Sequence, residues 1–222
     1  MRGDGEFRDS GAEPARTPLS RKLVLGALTA VPALSTTIYL PGLPDMADDL
    51  GASTSAAQLT ISGFVAGLAG GQLVAGPLSD RLGRRRPIIG GLLIYVASAL
   101  ACALAPSVTV LIVARFALGL SGAAGLVIAR ATVRDLHTGA AAVRLFSVLM
   151  LVMGVAPIVA PVLGGQLLAL GSWRTIFLGA SAIGALLALA VVVVLPESLP
   201  PGRRQKVALG ATLRTPARLL CD

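Results

Sequence analysis

Gly76-Pro77-Leu78-Ser79-Asp80-Arg81-Leu82-Gly83-Arg84-Arg85-Arg86-Pro87 reads as a tight, strongly cationic joint between two membrane-length apolar segments. The first segment ends at Leu78 and the second starts at Ile88. Four arginines (Arg81, Arg84, Arg85 and Arg86) and one carboxylate, Asp80, lie between them. So short a polar joint can only be a hairpin at one membrane surface, and its cations fix which surface that is. The stretch therefore predicts a polytopic membrane protein.

Outward from this joint, six apolar runs cover residues 23–40, 57–78, 88–105, 108–129, 145–170 and 176–195. A helix needs about 20 apolar residues to cross the hydrocarbon core. The runs are continuous rather than alternating and about twice the length of barrel strands, which predicts helices. The first run is too long for a typical cleaved signal core. The expected organisation is a disordered cytoplasmic tail over 1–21, a six-span bundle over 22–196, and a cytoplasmic segment over 197–222.

Composition points to the same class. The chain is 55% hydrophobic and only 14% charged, with a mean hydropathy of +0.80. A soluble domain of this length could not hide so much apolar surface. The 26 glycines suit closely packed spans. The net charge of +8 does not point to nucleic acid, because the basic residues sit in separate inter-span loops and aromatics are 4% of the chain. Cys102 and Cys221 offer neither a disulfide framework nor metal spacing. No motif for covalent catalysis, nucleotide binding or metal binding is present. The expectation is no enzyme, no cofactor and no ATP use.

Seventeen of the nineteen Lys and Arg residues fall on one side of the predicted membrane: in the two tails and in the loops after spans two and four. Both termini and the Arg81–Arg86 loop are therefore expected in the cytoplasm, and the expected location is the cell membrane, plasma or inner. The acidic loop with Asp45, Asp48 and Asp49 is expected outside.

Arg115 lies well inside span four. A mid-span arginine costs about 2.5–3.5 kcal/mol even on insertion scales, so it reads as a cavity-lining group for substrate or proton transfer. The competing reading is an arginine that snorkels to the outer headgroups. Gly119 and Gly122 share its helical face and would let a neighbouring helix approach. No carboxylate lies within any of the six runs, although proton-driven carriers usually embed one. Span two carries Gly63, Gly67 and Gly71, then Ala75, a stripe read as packing. Span five carries Pro157 and Pro161 and is expected to be bent.

Together these residues resemble the major facilitator superfamily, and within it the Bcr/CflA-type drug:proton antiporters. The loop motif is met by Gly76, Leu78, Asp80, Arg81, Gly83, Arg84 and Arg85. Tyr39-Leu40-Pro41-Gly42-Leu43-Pro44 resembles the subfamily's border of span one, and Arg115-Phe116 with Gly119 its span-four motif. Arg130-Ala131 with Arg134-Asp135 resembles the cytoplasmic end of that span. Ala160-Pro161-Val162-Leu163-Gly164-Gly165 is similar to the antiporter motif of span five, and Trp173-Arg174 and Pro196-Glu197 fit the borders of span six. Two positions depart from the subfamily: Thr37 stands where an acidic residue is common, and Leu118 where a glutamine or histidine is often found.

The resemblance implies an all-α integral membrane fold, the amino-terminal six-helix bundle of a twelve-span protein, built from two inverted three-helix repeats. It implies alternating access and export of small, largely apolar drugs against protons, with a proton gradient as the energy source. A metabolite, sugar or amino-acid exporter, or an inactive six-span remnant or assembly partner, are the other readings. Arg115, Thr37 and Tyr39 are the expected substrate or proton pathway. The loop would act as a cytoplasmic latch, with Asp80 on Arg134 and on a helix amino terminus of the second half, and Arg81 and Arg84 on carboxylates such as Asp135. The expected partners are the lipid bilayer, the drug, protons, and a second six-span half or a second copy. The face toward that partner would carry Arg115, the span-two glycines and the bent face of span five.

Overall fold

The computed structural model describes residues 18–200 and 202. The expectations for the tail before residue 18 and for most of the segment after 200 lie outside the described residues. The chain forms α1 (Leu19–Thr37), a 3-10 turn (Leu40–Gly42), α2 (Leu43–Asp49), α3 (Thr54–Leu82), α4 (Arg85–Ala103), α5 (Val108–Leu136), α6 (Gly139–Ala169) and α7 (Trp173–Val194). Six of the helices are long and apolar enough to cross a membrane. They fall on the six predicted runs, and the protein is a multi-pass membrane protein.

The helices overrun the apolar segments because hydropathy marks only the part in lipid. Backbone hydrogen bonding continues until something stops it. At α3 the stop is Gly83, whose φ of +91° is costly for any residue with a Cβ. The side chains of Ser53 and Ser107 cap α3 and α5 by accepting from the amides of Ala56 and Val110. At the start, α1 reaches back to Leu19, three residues into the predicted tail. The seven-residue α2 was not expected: its Pro44 at the first turn and its acidic residues suit a surface helix.

α1 and α5 occupy the centre, each 61% buried across its most apolar window, whereas α3 and α6 are 28% and 22% buried. α3 packs chiefly on α5, α4 on α7 and α5, and α1 on α6 and α5. The glycine stripe explains the first pairing. A Cβ on Gly67 would strike the backbone of Phe116, one on Gly71 that of Leu120, and one on Gly119 that of Phe64. Gly67 and Gly71 therefore face α5, and Gly119 faces α3, inside the bundle; for the span-two glycines this corrects the expectation that they face an outside partner. Two apolar clusters fill the interior. One lies around Tyr39, Phe64, Trp173 and Phe177, the other around Leu28, Ile128, Leu149 and Val191.

Candidate functional site

Two arginine-centred sites lie at different depths. The deeper is built on Arg115, which α5 places in the first apolar cluster's midst with 1% of its surface exposed. Its Nη1 donates to the carbonyl of Ser35 on α1 at 2.9 Å. Its guanidinium carbon lies 4.0 Å from the ring centre of Tyr39, 4.6 Å from that of Phe64 and 5.8 Å from that of Phe177. Nε and Nη2 have no hydrogen-bond partner among the described residues. No carboxylate pairs with Arg115 among the described residues. Ring faces supply about 0.5–2 kcal/mol each to such a cation, less than a buried carboxylate would.

The cage is itself tied together. Tyr39 and Thr60 hydroxyls lie 3.2 Å apart, and Ser35 and Tyr95 hydroxyls 2.6 Å apart. Arg115 thus joins α1, α3, α4 and α7 through one buried polar node. It does not snorkel to the outer headgroups, and it is enclosed rather than displayed on an open face, which corrects the placement expected from the sequence. Of the three pathway candidates, Arg115 and Tyr39 meet. Thr37 does not join them; it is half-buried and its hydroxyl donates back to the Ala33 carbonyl at 3.1 Å. Ser35, Thr60 and Tyr95 were missed. The only signal for them was the presence of hydroxyls in otherwise apolar runs.

The second site is the loop between α3 and α4. The turn at Gly83 folds Arg84 back beneath the end of α3. Its Nη1 donates to Asp80 at 2.5 Å and to Ser79 at 2.6 Å, and its Nε donates to Asp135 of α5 at 2.8 Å. Burial disfavours the charged form of Arg84, but the bonds to Asp135 and Asp80 outweigh that and raise its pKa above the ordinary value. The expected Arg84–Asp135 pair is present. Asp80, however, pairs with Arg84 and not with Arg134, which is exposed and makes no ion pair among the described residues. Arg81 is also exposed and makes no ion pair among the described residues, so it does not meet Asp135.

The amino terminus of α4 is bound by a carboxylate, that of Glu197. Glu197 accepts from the amides of Arg84 at 2.8 Å and Arg85 at 3.4 Å. Those amides are among the four that a helix start leaves unpaired, and the helix dipole favours an anion there. Arg85 reaches the carbonyl of Val192 in the last turn of α7. Gly76 is half-buried, close to Val127. In α6, Ala160 and Gly164 are buried, and a Cβ on Gly164 would strike the Ile38 carbonyl of α1. Pro161 and Gly165 are half-buried beside them, within one continuous helix. On the opposite surface Arg174 pairs with Asp49 and lies over Trp173, whose Nε1 also donates to Asp49 at 3.1 Å.

Residues 25–220 match the family model described as Major Facilitator Superfamily. The chain is 42% identical over 206 residues to the uncharacterized MFS-type transporter YdgK of Bacillus subtilis, covering 92% of this chain and 51% of that protein. It is 35% identical over 176 residues to the bicyclomycin resistance protein homolog of Haemophilus influenzae, covering 79% of this chain and 44% of that one. Its fold is similar to that of the human organic anion transporter MFSD10, with a TM-score of 0.67 at 21% identity, covering 91% of this chain and 55% of the other. The chain spans about half the length of the curated relatives it matches.

Proposed function

The chain belongs to the major facilitator superfamily, a family of transporters rather than enzymes, and on that premise we propose that it forms the amino-terminal bundle of a proton-coupled exporter of small, largely apolar drugs. The observation that carries this reading is Arg115: a cation 1% exposed that, among the described residues, meets no carboxylate and has two nitrogens without a hydrogen-bond partner. A buried charge so poorly compensated is expensive, and intramembrane ionisable groups are kept where the charge is used. A bicyclomycin resistance protein homolog among the relatives supports the substrate class. The low charge within the spans suits apolar cargo.

In this reading a second six-helix bundle faces this one, and substrate binds between them. The side bearing Arg84 is cytoplasmic, as are both termini. The aromatic cage holds Arg115 while the bundle is closed. A proton or substrate arriving at the cage would change the balance between ring faces and the Ser35 carbonyl, and so the relation of α5 to α1. The Arg84 cluster holds the cytoplasmic ends of α3 and α5 together through each cycle.

The test joins this chain to the remaining half of the Haemophilus influenzae relative, in cells stripped of their own pumps. Bicyclomycin accumulation is measured with and without an uncoupler. The expected result is uncoupler-sensitive efflux that Arg115→Ala abolishes at unchanged membrane content. Full efflux by Arg115→Ala would overturn the proposal.

A further inference from the structure

On one flank of the bundle an apolar groove of about 290 Å³ runs between α3, α4 and α5. Val74 and Leu78 form one wall, Gly90 and Ile94 the other, and Ala124 the floor, with Arg86 at the mouth. The hydroxyl of Ser121, the other polar side chain there, is already committed to the Leu118 carbonyl at 3.0 Å. Nothing within the groove asks for a polar ligand. Its mouth carries a full charge.

Three observations say what fills it. The first is charge. Arg84 is neutralised by two carboxylates and Arg85 is engaged by a carbonyl. Arg86 is exposed and makes no ion pair among the described residues. The second is depth. From Arg86 to Ile94 a helix rises roughly 12 Å, close to the roughly 15 Å of one leaflet's hydrocarbon. The third is direction. On α3 the groove residues that are not buried, Val74, Leu78 and Leu82, form one stripe, while the exposed polar residues Gln58, Ser62 and Gln72 lie about 160° around the helix at 3.6 residues per turn. A partner bundle that meets the polar stripe leaves the groove facing lipid.

We propose that this groove binds one anionic phospholipid, with an acyl chain laid between α3 and α4 and the headgroup phosphate on Arg86. The charge distribution puts Arg86 at the cytoplasmic leaflet, where anionic lipids are concentrated. The proposal rests on the partner bundle and the orientation of the reading above, but not on drug export. Gly90 supplies the space: a Cβ there meets nothing within 4 Å.

The purified chain is doped with phosphatidylglycerol or with phosphatidylcholine of identical acyl chains, and retained lipid is counted by native mass spectrometry. The wild type is expected to retain phosphatidylglycerol preferentially. Arg86→Gln should cut that retention about fivefold, the effect of one cation near a lipid surface, and leave phosphatidylcholine unchanged. Gly90→Leu should reduce retention of both lipids by filling the groove. Gly154→Leu adds the same bulk to open space on α6 and should change neither. An unchanged phosphatidylglycerol preference in Arg86→Gln, or equal losses in the two glycine variants, would overturn the proposal. So would a wild-type dimer that Gly90→Leu dissociates without loss of lipid, since a second copy would then occupy the groove.

Discussion

Arg84 and Arg115 are both hidden by the bundle, at 7% and 1% exposure, yet their surroundings are opposite. Arg84 meets two carboxylates, a hydroxyl and the end of a helix; Arg115 meets three ring faces and one carbonyl. The difference is one of compensation. Charge at Arg84 is balanced locally, so its removal uncovers two anions. Charge at Arg115 is not balanced, so its removal relieves the bundle of a desolvated ion. One arginine therefore belongs to the stability of the fold, and the other is held against it.

The sharpest way to break this contrast is to replace each arginine by methionine, which keeps volume without charge. Arg115→Met in the bicyclomycin-efflux chimaera should lower uncoupler-sensitive efflux by a hundredfold or more. It should leave thermal stability in detergent unchanged or raised by about 1–2 kcal/mol, as when other buried ions give way to apolar groups. Arg115→Lys should restore efflux in part, because an ammonium cannot lie flat over Tyr39 while reaching Ser35. Stability lost in the methionine variant would mean the node is structural.

Arg84→Met should do the reverse, destabilising the bundle by about 2–3 kcal/mol by thermal or denaturant unfolding. That is below the range for a fully buried broken pair, because Asp80 and Asp135 remain 35% and 22% exposed. Adding Asp80→Asn and Asp135→Asn should recover most of the loss. Failure of that rescue would separate Arg84 from the carboxylates. A smaller effect is expected from Tyr95→Phe, which removes one of the two bonds of the Ser35 hydroxyl, leaving that to the Val31 carbonyl, and should cost about 1 kcal/mol. Smallest is Glu197→Gln, which keeps acceptors at the start of α4 but removes the charge the dipole favours, for about 0.3–1 kcal/mol. Its loss should shrink as salt is added.

The sequence makes the spans and their loops legible because burial in lipid is a property of long runs, which averaging detects. It also marks Gly67, Gly71 and Gly119 as packing residues, since only small side chains at four-residue spacing allow backbones to touch. Contacts made by single residues across the bundle are not legible in that way. Ser35 and Tyr95 look like ordinary members of apolar runs until α1 and α4 are brought together around Arg115. The resemblance implied Arg134 as the partner of Asp80; the turn at Gly83, with its φ of +91°, brings Arg84 there instead. Glu197 read as the border of span six. A carboxylate on the same membrane side as four clustered arginines was the available clue to its contact with the loop.

The glycine interlock between α3 and α5 has a consequence in time. α3 is complete when the ribosome has passed Leu82, but the backbone it must touch is complete only at Leu136. At 5–20 residues per second that interval is roughly 3–10 s. α1 waits longer still, since Gly164 of α6, which closes on its Ile38 carbonyl, is made later. Through the interval the notches on α3 lie open to whatever helix or insertion factor stands beside them. A membrane chaperone that covers small-residue stripes would act on this chain while span three is being made, and would be displaced when span four arrives.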